Sequence, residues 1–271
     1  MFVSVFSVGC CVLDSPNDVA LREASEMDSE RFAEVAKRAY DSDVDVGAKG
    51  PGGPQGYDSP VFYTRSLKFL GCYVILLGEE TVGGVMVNVN GTHGIVERIF
   101  VDPNHYRKGI GSKALELVMA RYQEVSLWTL GAPEWNTRTT AFFEKLGFSQ
   151  VGWDQTEPGV KNSWYEKRTG DAEAILPIGS LKDGVSNVTV EGKVVEKSYP
   201  RMVRSKKTGG TLTVANAALE DASGRIVMVL WEKQFEVVKV GARLRVENGY
   251  TNSYSGVTQL NVGYGRLITL I

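Results

Sequence analysis

The stretch Ile95 to Ser112, Ile-Val-Glu-Arg-Ile-Phe-Val-Asp-Pro-Asn-His-Tyr-Arg-Lys-Gly-Ile-Gly-Ser, holds the residue types and spacing that most clearly imply chemistry. A short apolar run ends at Asp102-Pro103, and a basic, glycine-containing turn then opens a helix whose apolar face begins at Ala114 and Leu115. Gly109 and Gly111 remove the side chains that would keep a diphosphate from the backbone N–H groups. The unpaired first-turn amides and the helix dipole then favour an anion. Arg107 and Lys108 add positive charge. A Gly-x-Gly turn is also an ordinary strand-to-helix connection, so its setting carries the argument. In the strand before it, alternation places Glu97, Ile99 and Val101 on one face and Arg98 and Phe100 on the other. Glu97 is a carboxylate on that strand that can accept a proton, directly or through a water. Pairing with an adjacent arginine, or holding a cationic acceptor, would equally explain a carboxylate there.

Val101-Asp102-Pro103 through Gly109-Ile110-Gly111-Ser112 resembles the coenzyme A motif of the GNAT N-acetyltransferases. A second run, Asn136-Thr-Arg-Thr-Thr-Ala-Phe-Phe143-Glu-Lys-Leu-Gly147-Phe148, is similar to that family's asparagine-containing helix. The resemblance covers roughly Val19 to Arg168. It implies an α/β (α+β) fold with a mixed central sheet, acyltransfer to an amine with Glu97 as the candidate catalytic base, and acetyl-CoA as cofactor. It further implies that the backbone of Ile99, Phe100 and Val101 meets the pantetheine arm. Arg107, Lys108, Gly109, Ile110, Gly111 and Ser112 would hold the diphosphate, and Asn136 and Phe143 would also contact the cofactor. An amide near Val101 would stabilise the oxyanion. Asn136 is explained nearly as well as a helix N-cap. Two departures stand out. Phe143 occupies the place of a tyrosine that often protonates the leaving thiolate, leaving a water, Tyr106 or Tyr122 as substitutes. Tyr106 itself replaces the usual Gln or Arg, at a position that contributes largely through its backbone.

Several elements must position these residues. Asp18 to Glu23 reads as a strand, and Asp28 as an N-cap before a helix over Arg31 to Tyr40, striped by Phe32, Val35, Ala36 and Ala39. The run Gly47-Ala-Lys-Gly-Pro-Gly-Gly-Pro-Gln-Gly56 can form no regular element. It is a candidate lid over the acceptor or a plain surface loop. Tyr57, Phe62 and Tyr63 follow it, with core packing expected for at least two of them. Strands over Cys72 to Leu77 and Val82 to Val89 make a hairpin through Gly78 to Thr81. Gly94 to Val101 is the next strand and Gly111 to Tyr122 the next helix. Leu127 to Leu130 is a further strand, and a last helix runs from Asn136 to Leu146 with Gly147 as its stop.

At 271 residues with 43% hydrophobic content, the chain is long enough for two domains that each bury a core. Three cysteines without metal-type spacing and two histidines exclude a structural zinc site, so no metal is expected. Cys72 reads as buried in a reducing interior, and the protein as cytoplasmic. The apolar segment Met1 to Leu13 is about half a membrane span and lacks a basic leader. It reads as an extra strand or a tail, and no membrane partner is expected. Charge is uneven: 17 Lys and Arg face 22 Asp and Glu up to Gly170, whereas 13 face 10 from Asp171 onward.

Beyond Arg168 the chain reads as short strands over Val188 to Val195, Thr211 to Ala217, Ile226 to Trp231, Arg243 to Glu247 and Gln259 to Leu270, which suggest a small barrel. The order of turns and strands, through Leu219-Glu-Asp-Ala-Ser-Gly224, Val240-Gly241 to Tyr250 and Gly256-Val-Thr-Gln-Leu-Asn261, resembles the OB-fold domains of replication protein A-like single-strand binders. The match covers about Ile178 to Ile271. Such barrels stack bases on aromatics within a basic groove. Tyr199, Arg201, Arg204, Lys206 and Lys207 fall in one loop, with Trp231, Tyr250 and Tyr254 on or near others. Trp231 reads equally as packed core.

The domain organisation expected is an extension over 1–17, a GNAT domain over 18–170 and an all-β OB barrel over 171–271. The reading favoured is an acetyl-CoA-dependent N-acetyltransferase acting on a protein lysine, an N-terminal amine or a small amine. Its barrel would direct it to single-stranded DNA or RNA or to a protein bound there. The rival is a non-catalytic, coenzyme-binding scaffold marked by Phe143. A third reading makes the barrel a homodimerisation device on a small-molecule enzyme.

Overall fold

The structure, a computed structural model, describes residues 18–157, 160–169, 175–204, 210–262 and 266–270. The extension 1–17, with Cys10 and Cys11, and the loop residues Lys206 and Lys207 lie outside them. The chain divides into two compact units. One comprises residues 1–88 and 96–123, and the other residues 89–95 and 124–271.

The first unit runs β1 (Val19–Glu23), α1 (Ser29–Asp41), α2 (Pro60–Ser66), β2 (Gly71–Leu77), β3 (Glu80–Asn90, entering the second unit at its end), β4 (His93–Val101, of which Val96 onward belongs here) and α3 (Ile110–Arg121). The strands lie in the order β1-β2-β3-β4. Alternation makes this sheet amphipathic. Phe32, Val35, Ala36 and Ala39 of α1 bury the expected stripe against Cys72, Val74, Met86 and Phe100. Each valine, methionine or phenylalanine so removed from water contributes roughly 1.5–3 kcal/mol. Cys72 is buried, and burial pushes its thiol up to about 11. Helix α2 was not expected, although Ser59-Pro60 signals it: the Ser59 hydroxyl accepts from the Phe62 amide, and Pro60 sits where no amide partner is needed.

The second unit contains β5 (Leu127–Pro133), α4 (Thr137–Lys145), β6 (Ser149–Glu157) and β7 (Val160–Arg168), then β8 (Ser186–Lys197), β9 (Arg201–Arg204), β10 (Thr211–Asp221), β11 (Gly224–Trp231), α5 (Lys233–Val237), β12 (Arg243–Tyr254), β13 (Val257–Asn261) and β14 (Arg266–Leu270). Strands β12, β13, β11, β10 and β8 follow one another, and β8 pairs back to β12, closing a five-stranded barrel. Val188, Val190, Leu219, Met228, Leu230, Val246 and Leu260 fill it. Such closure leaves no free edge among these five strands.

The barrel is continuous with the β5–β7 sheet. β14 pairs with β12 on one side and with β6 on the other, Thr269 opposite Trp153 and Leu270 opposite Gly152. Gly152 permits that approach, since a Cβ there would sit 2.1 Å from the Thr269 carbonyl oxygen. A buried ion cluster reinforces the joint. Arg245 of β12, 2% exposed, lies 2.6 Å from Glu166 of β7 and 2.5 Å from Glu191 of β8, with Glu247 at 3.6 Å. Burial opposes the guanidinium charge, but Glu191 and Glu166 overcome it and hold its pKa above the ordinary arginine value. Beside them His93 bonds Thr129 of β5 at 2.8 Å and Thr189 of β8 at 3.2 Å.

Candidate active site and nucleic-acid face

The expected diphosphate turn begins from a buried carboxylate. Asp102 accepts from the Asn104 amide at 3.1 Å, capping the short turn Pro103–His105. It also takes two hydrogen bonds from Arg38 of α1, at 3.0 and 2.6 Å. Burial raises the carboxyl's pKa, but the Asn104 amide and Arg38 outweigh it, so the group lies below its ordinary value. With the loop fixed, Arg107 (φ 63°) and Gly109 (φ 77°) turn through the left-handed region. For Arg107 this costs about 1–2 kcal/mol, which glycine at 109 avoids. Gly109 is the N-cap of α3 and no side chain caps it, so the amides of Ile110, Gly111 and Ser112 open the helix without a side-chain acceptor. A diphosphate fits this cradle.

On β4, Glu97, Ile99 and Val101 are half-buried while Arg98 and Phe100 are buried, the two faces expected from alternation. The Arg98 guanidinium donates to the Gln55 carbonyl at 2.6 Å and lies 4.0 Å from the Phe62 ring centre. Tyr63 is 1% exposed and joins the core, its hydroxyl donating to the Tyr57 carbonyl at 2.9 Å. Tyr57 and Phe62 are half-buried, and the Tyr57 hydroxyl donates to Asp41. Of the two tyrosines left open as proton donors, Tyr122 lies just past the far end of α3, about 18 Å along a 12-residue helix. Its hydroxyl is bonded to that of Tyr73. The Tyr106 hydroxyl reaches Ala39 of α1 and Ser42, the residue that follows it.

In the second unit, Asn136 is buried and caps α4, its side chain accepting from the Thr139 amide at 3.1 Å. Phe143 is 3% exposed and packs among Phe142, Phe148 and Tyr165. Gly147, at φ 84°, ends α4 as expected.

On the barrel, Arg201 to Arg204 form a strand rather than part of a loop, because they pair with Thr211 to Val214. This register separates the two arginines. Arg201 lies opposite Val214, which lies opposite Trp231, so Arg201 and Trp231 share a face and Arg204 turns to the other. Strands β13 and β12 continue that face through Asn261 to Tyr250 and through Val257 to Tyr254. Tyr199 is 95% exposed and Tyr254 62%, with Tyr250 and Trp231 near 40%. Trp231 therefore faces outward and is no part of the barrel core.

Residues 46–148 match the acetyltransferase (GNAT) family. The PanD regulatory factor of Escherichia coli is 31% identical over 87 residues, which are 31% of this chain and 68% of that protein. The chain belongs to the GNAT acetyltransferase family. Acetyl-CoA is the donor that GNAT enzymes use. Residues 181–268 match the OB fold of Ssb-like single-stranded DNA binding proteins. The single-stranded DNA binding protein Ssb of Saccharolobus solfataricus is 34% identical over 86 residues, covering 32% of this chain but only 57% of that relative. Among solved structures, a PaiA N-acetyltransferase from Thermoplasma acidophilum in complex with coenzyme A is 15% identical, with a TM-score of 0.46, over 56% of this chain and 99% of that one.

Two arginines that hold loops of the first unit do not stand out in the sequence. In the sequence Arg38 is one residue of a helix, yet it fixes the loop ahead of the Arg107–Gly109 turn. The Asp102-Pro103 pair was the available signal, since an acid before proline is an N-cap signature. Arg98 was read only as a neighbour of Glu97, and nothing local in the sequence shows that the loop folds onto it.

Proposed function

We propose that this chain is an acetyl-CoA-dependent N-acetyltransferase acting on an amine, a protein lysine, a protein N-terminus or a small amine, and that its barrel binds single-stranded nucleic acid. The observation that carries the first half is the uncapped N-terminus of α3, presented by two left-handed residues at the end of the strand that bears Glu97. Bound there, acetyl-CoA supplies an activated acetyl thioester. Glu97 accepts the proton of the incoming amine, directly or through a water, as its nitrogen bonds to the acetyl carbon. A backbone amide near Val101 bears the oxyanion, and Arg107 and Lys108 neutralise the diphosphate. The bound thioester would supply a thiolate as leaving group, its carbon–sulfur bond breaking as the amide forms. With a thiol pKa near 8.5, that departure is tolerable at neutral pH although Phe143 offers no proton.

Thiol release from acetyl-CoA, with a panel of amines and peptides, tests this reading. Glu97→Gln should lower kcat by about 100-fold or more at unchanged coenzyme affinity. Coenzyme binding without turnover would instead favour the scaffold reading, which the burial of Phe143 in an aromatic cluster makes specific. For the barrel, the support is the shared face of Arg201, Trp231, Tyr250 and Tyr254, together with the likeness to a single-stranded DNA binding protein. Gel shifts with short single strands should be strongest at low salt and fade steeply as salt rises. Trp231→Ala should weaken them about 5- to 100-fold.

A further inference from the structure

The Gly-rich run before α2 has few means of its own to hold a shape, yet three side chains fix it. Arg98 donates to the Gln55 carbonyl at 2.6 Å, Tyr63 donates to the Tyr57 carbonyl at 2.9 Å, and Tyr57 donates to Asp41 at 2.9 Å. The loop also packs on rings. A Cβ at Gly53 would lie 2.7 Å from the Tyr57 ring, and one at Gly56, which sits at φ +75°, would lie 2.7 Å from Phe62. Arg98 is central because the residue is 9% exposed and its guanidinium rests over Phe62 while it holds Gln55. A charge-assisted bond to a carbonyl and a cation–π contact both strengthen out of water. One strand therefore offers Glu97 on one face and holds the loop from the other.

We infer that Arg98 is a positioning residue that latches the loop 47–57 and thereby sets acceptor binding without touching the donor. This rests on the acetyltransferase reading above and takes the candidate lid, rather than the plain surface loop, as the role of residues 47–57. The latch opens more readily than an ion pair would, because the partners of Arg98 among the described residues, the Gln55 carbonyl, Phe62 and Tyr63, are all neutral and water replaces the carbonyl once the loop lifts.

The test compares wild type, Arg98→Met, Arg98→Lys and Tyr63→Phe in the full chain. Hydrogen exchange reports the loop amides. Steady-state rates use acetyl-CoA and an octapeptide with a free alanine N-terminus and one lysine. In Arg98→Met, exchange at the Tyr57 and Ser59 amides should rise about tenfold. The peptide KM should rise about tenfold, while the acetyl-CoA KM stays within twofold and kcat changes little. Arg98→Lys should recover part of both effects, and Tyr63→Phe, which keeps the buried ring and so the fold, should move both in the same direction by less. Unchanged loop exchange in Arg98→Met and Tyr63→Phe overturns the latch. Faster exchange with an unchanged peptide KM overturns the link to the acceptor. Loss of turnover with every variant and wild type alike would strike the acetyltransferase reading instead, and exchange would still decide the latch.

Discussion

Two buried arginines divide this chain's chemistry between them. Arg98, in the first unit, faces a carbonyl oxygen and two aromatic rings, whereas Arg245, in the second, faces three carboxylates. The solvent lost is similar, since both side chains are at least nine-tenths covered. The partners differ. A cation among fixed carboxylates cannot leave without stranding buried charge, so it joins strands permanently. A cation holding a backbone carbonyl can let go, because water satisfies the carbonyl afterwards. The first arrangement suits a joint between β7, β8 and β12, and the second suits a loop that can open.

The sharpest way to break that contrast is to remove Arg245. Arg245→Met leaves Glu166, Glu191 and Glu247 facing one another, with Glu247 fully buried. It should cost about 3–5 kcal/mol in urea unfolding. Arg98→Met should cost clearly less, about 1–3 kcal/mol, because it strands only neutral groups. Equal losses would show that burial, not partner charge, decides the cost. The same joint has a steric counterpart at Gly152. Gly152→Val drives a side chain into the Thr269 carbonyl and should separate β14 from β6 at a cost of about 1–3 kcal/mol, read as lost exchange protection in β14 with coenzyme affinity unchanged.

Most strands and both main helices of the first unit were legible in the sequence, because their apolar residues alternate or recur every three to four positions. Helices α2 and α5 and strand β9 escaped, being seven, five and four residues long, too short for a period to declare itself, and strands β6 and β7 escaped although each is nine residues long. The five-stranded barrel was legible, but Gln259 to Leu270, read as one strand, is two, β13 and β14. The turn that opens α3 was legible from Gly109 and Gly111, since a left-handed helix start leaves glycine as its trace. The Arg245 cluster was not. In Arg243-Leu-Arg-Val-Glu247 the apolar residues fill the barrel and the charges alternate outward, the pattern of a solvated face. Only the tertiary fold, by covering that face, turns Arg245 and Glu247 inward, and no local pattern encodes a cover supplied by Glu166.

The cradle at α3 lets the contrast extend from side chains to backbone. Gly109→Ala imposes a Cβ at φ 77° and should cost about 1–2 kcal/mol locally. If that strain is relieved by relaxing the turn, the amides lose their alignment and coenzyme affinity falls about 5- to 30-fold. Isothermal titration with coenzyme A measures it. An unchanged affinity would mean that the amides of Ile110, Gly111 and Ser112 are not the diphosphate's support.

The smallest effect comes from an arginine whose partner stays within reach of water. Arg22, about half exposed, holds Asp28 at 2.7 Å. Its hydrogen bonds outweigh burial and, with those from Ser25, bring the Asp28 carboxyl down to about 2. A carboxyl depressed in the folded state contributes stability that is present above its unfolded pKa of about 3.9 and is lost as pH falls through the folded value. The loss therefore falls between about pH 4 and pH 2, with no contribution to pH dependence above about pH 5. Because water reaches Arg22, the contribution is discounted to about 1 kcal/mol. Urea melts of wild type and Asp28→Asn at pH 5.5 and pH 2 isolate it: the variant should be less stable by about that amount at the higher pH and should converge on wild type at the lower. A gap of several kcal/mol at pH 5.5 would place this exposed pair with Arg245 and undo the rule that what an arginine faces, and whether water can take its place, sets what its loss costs.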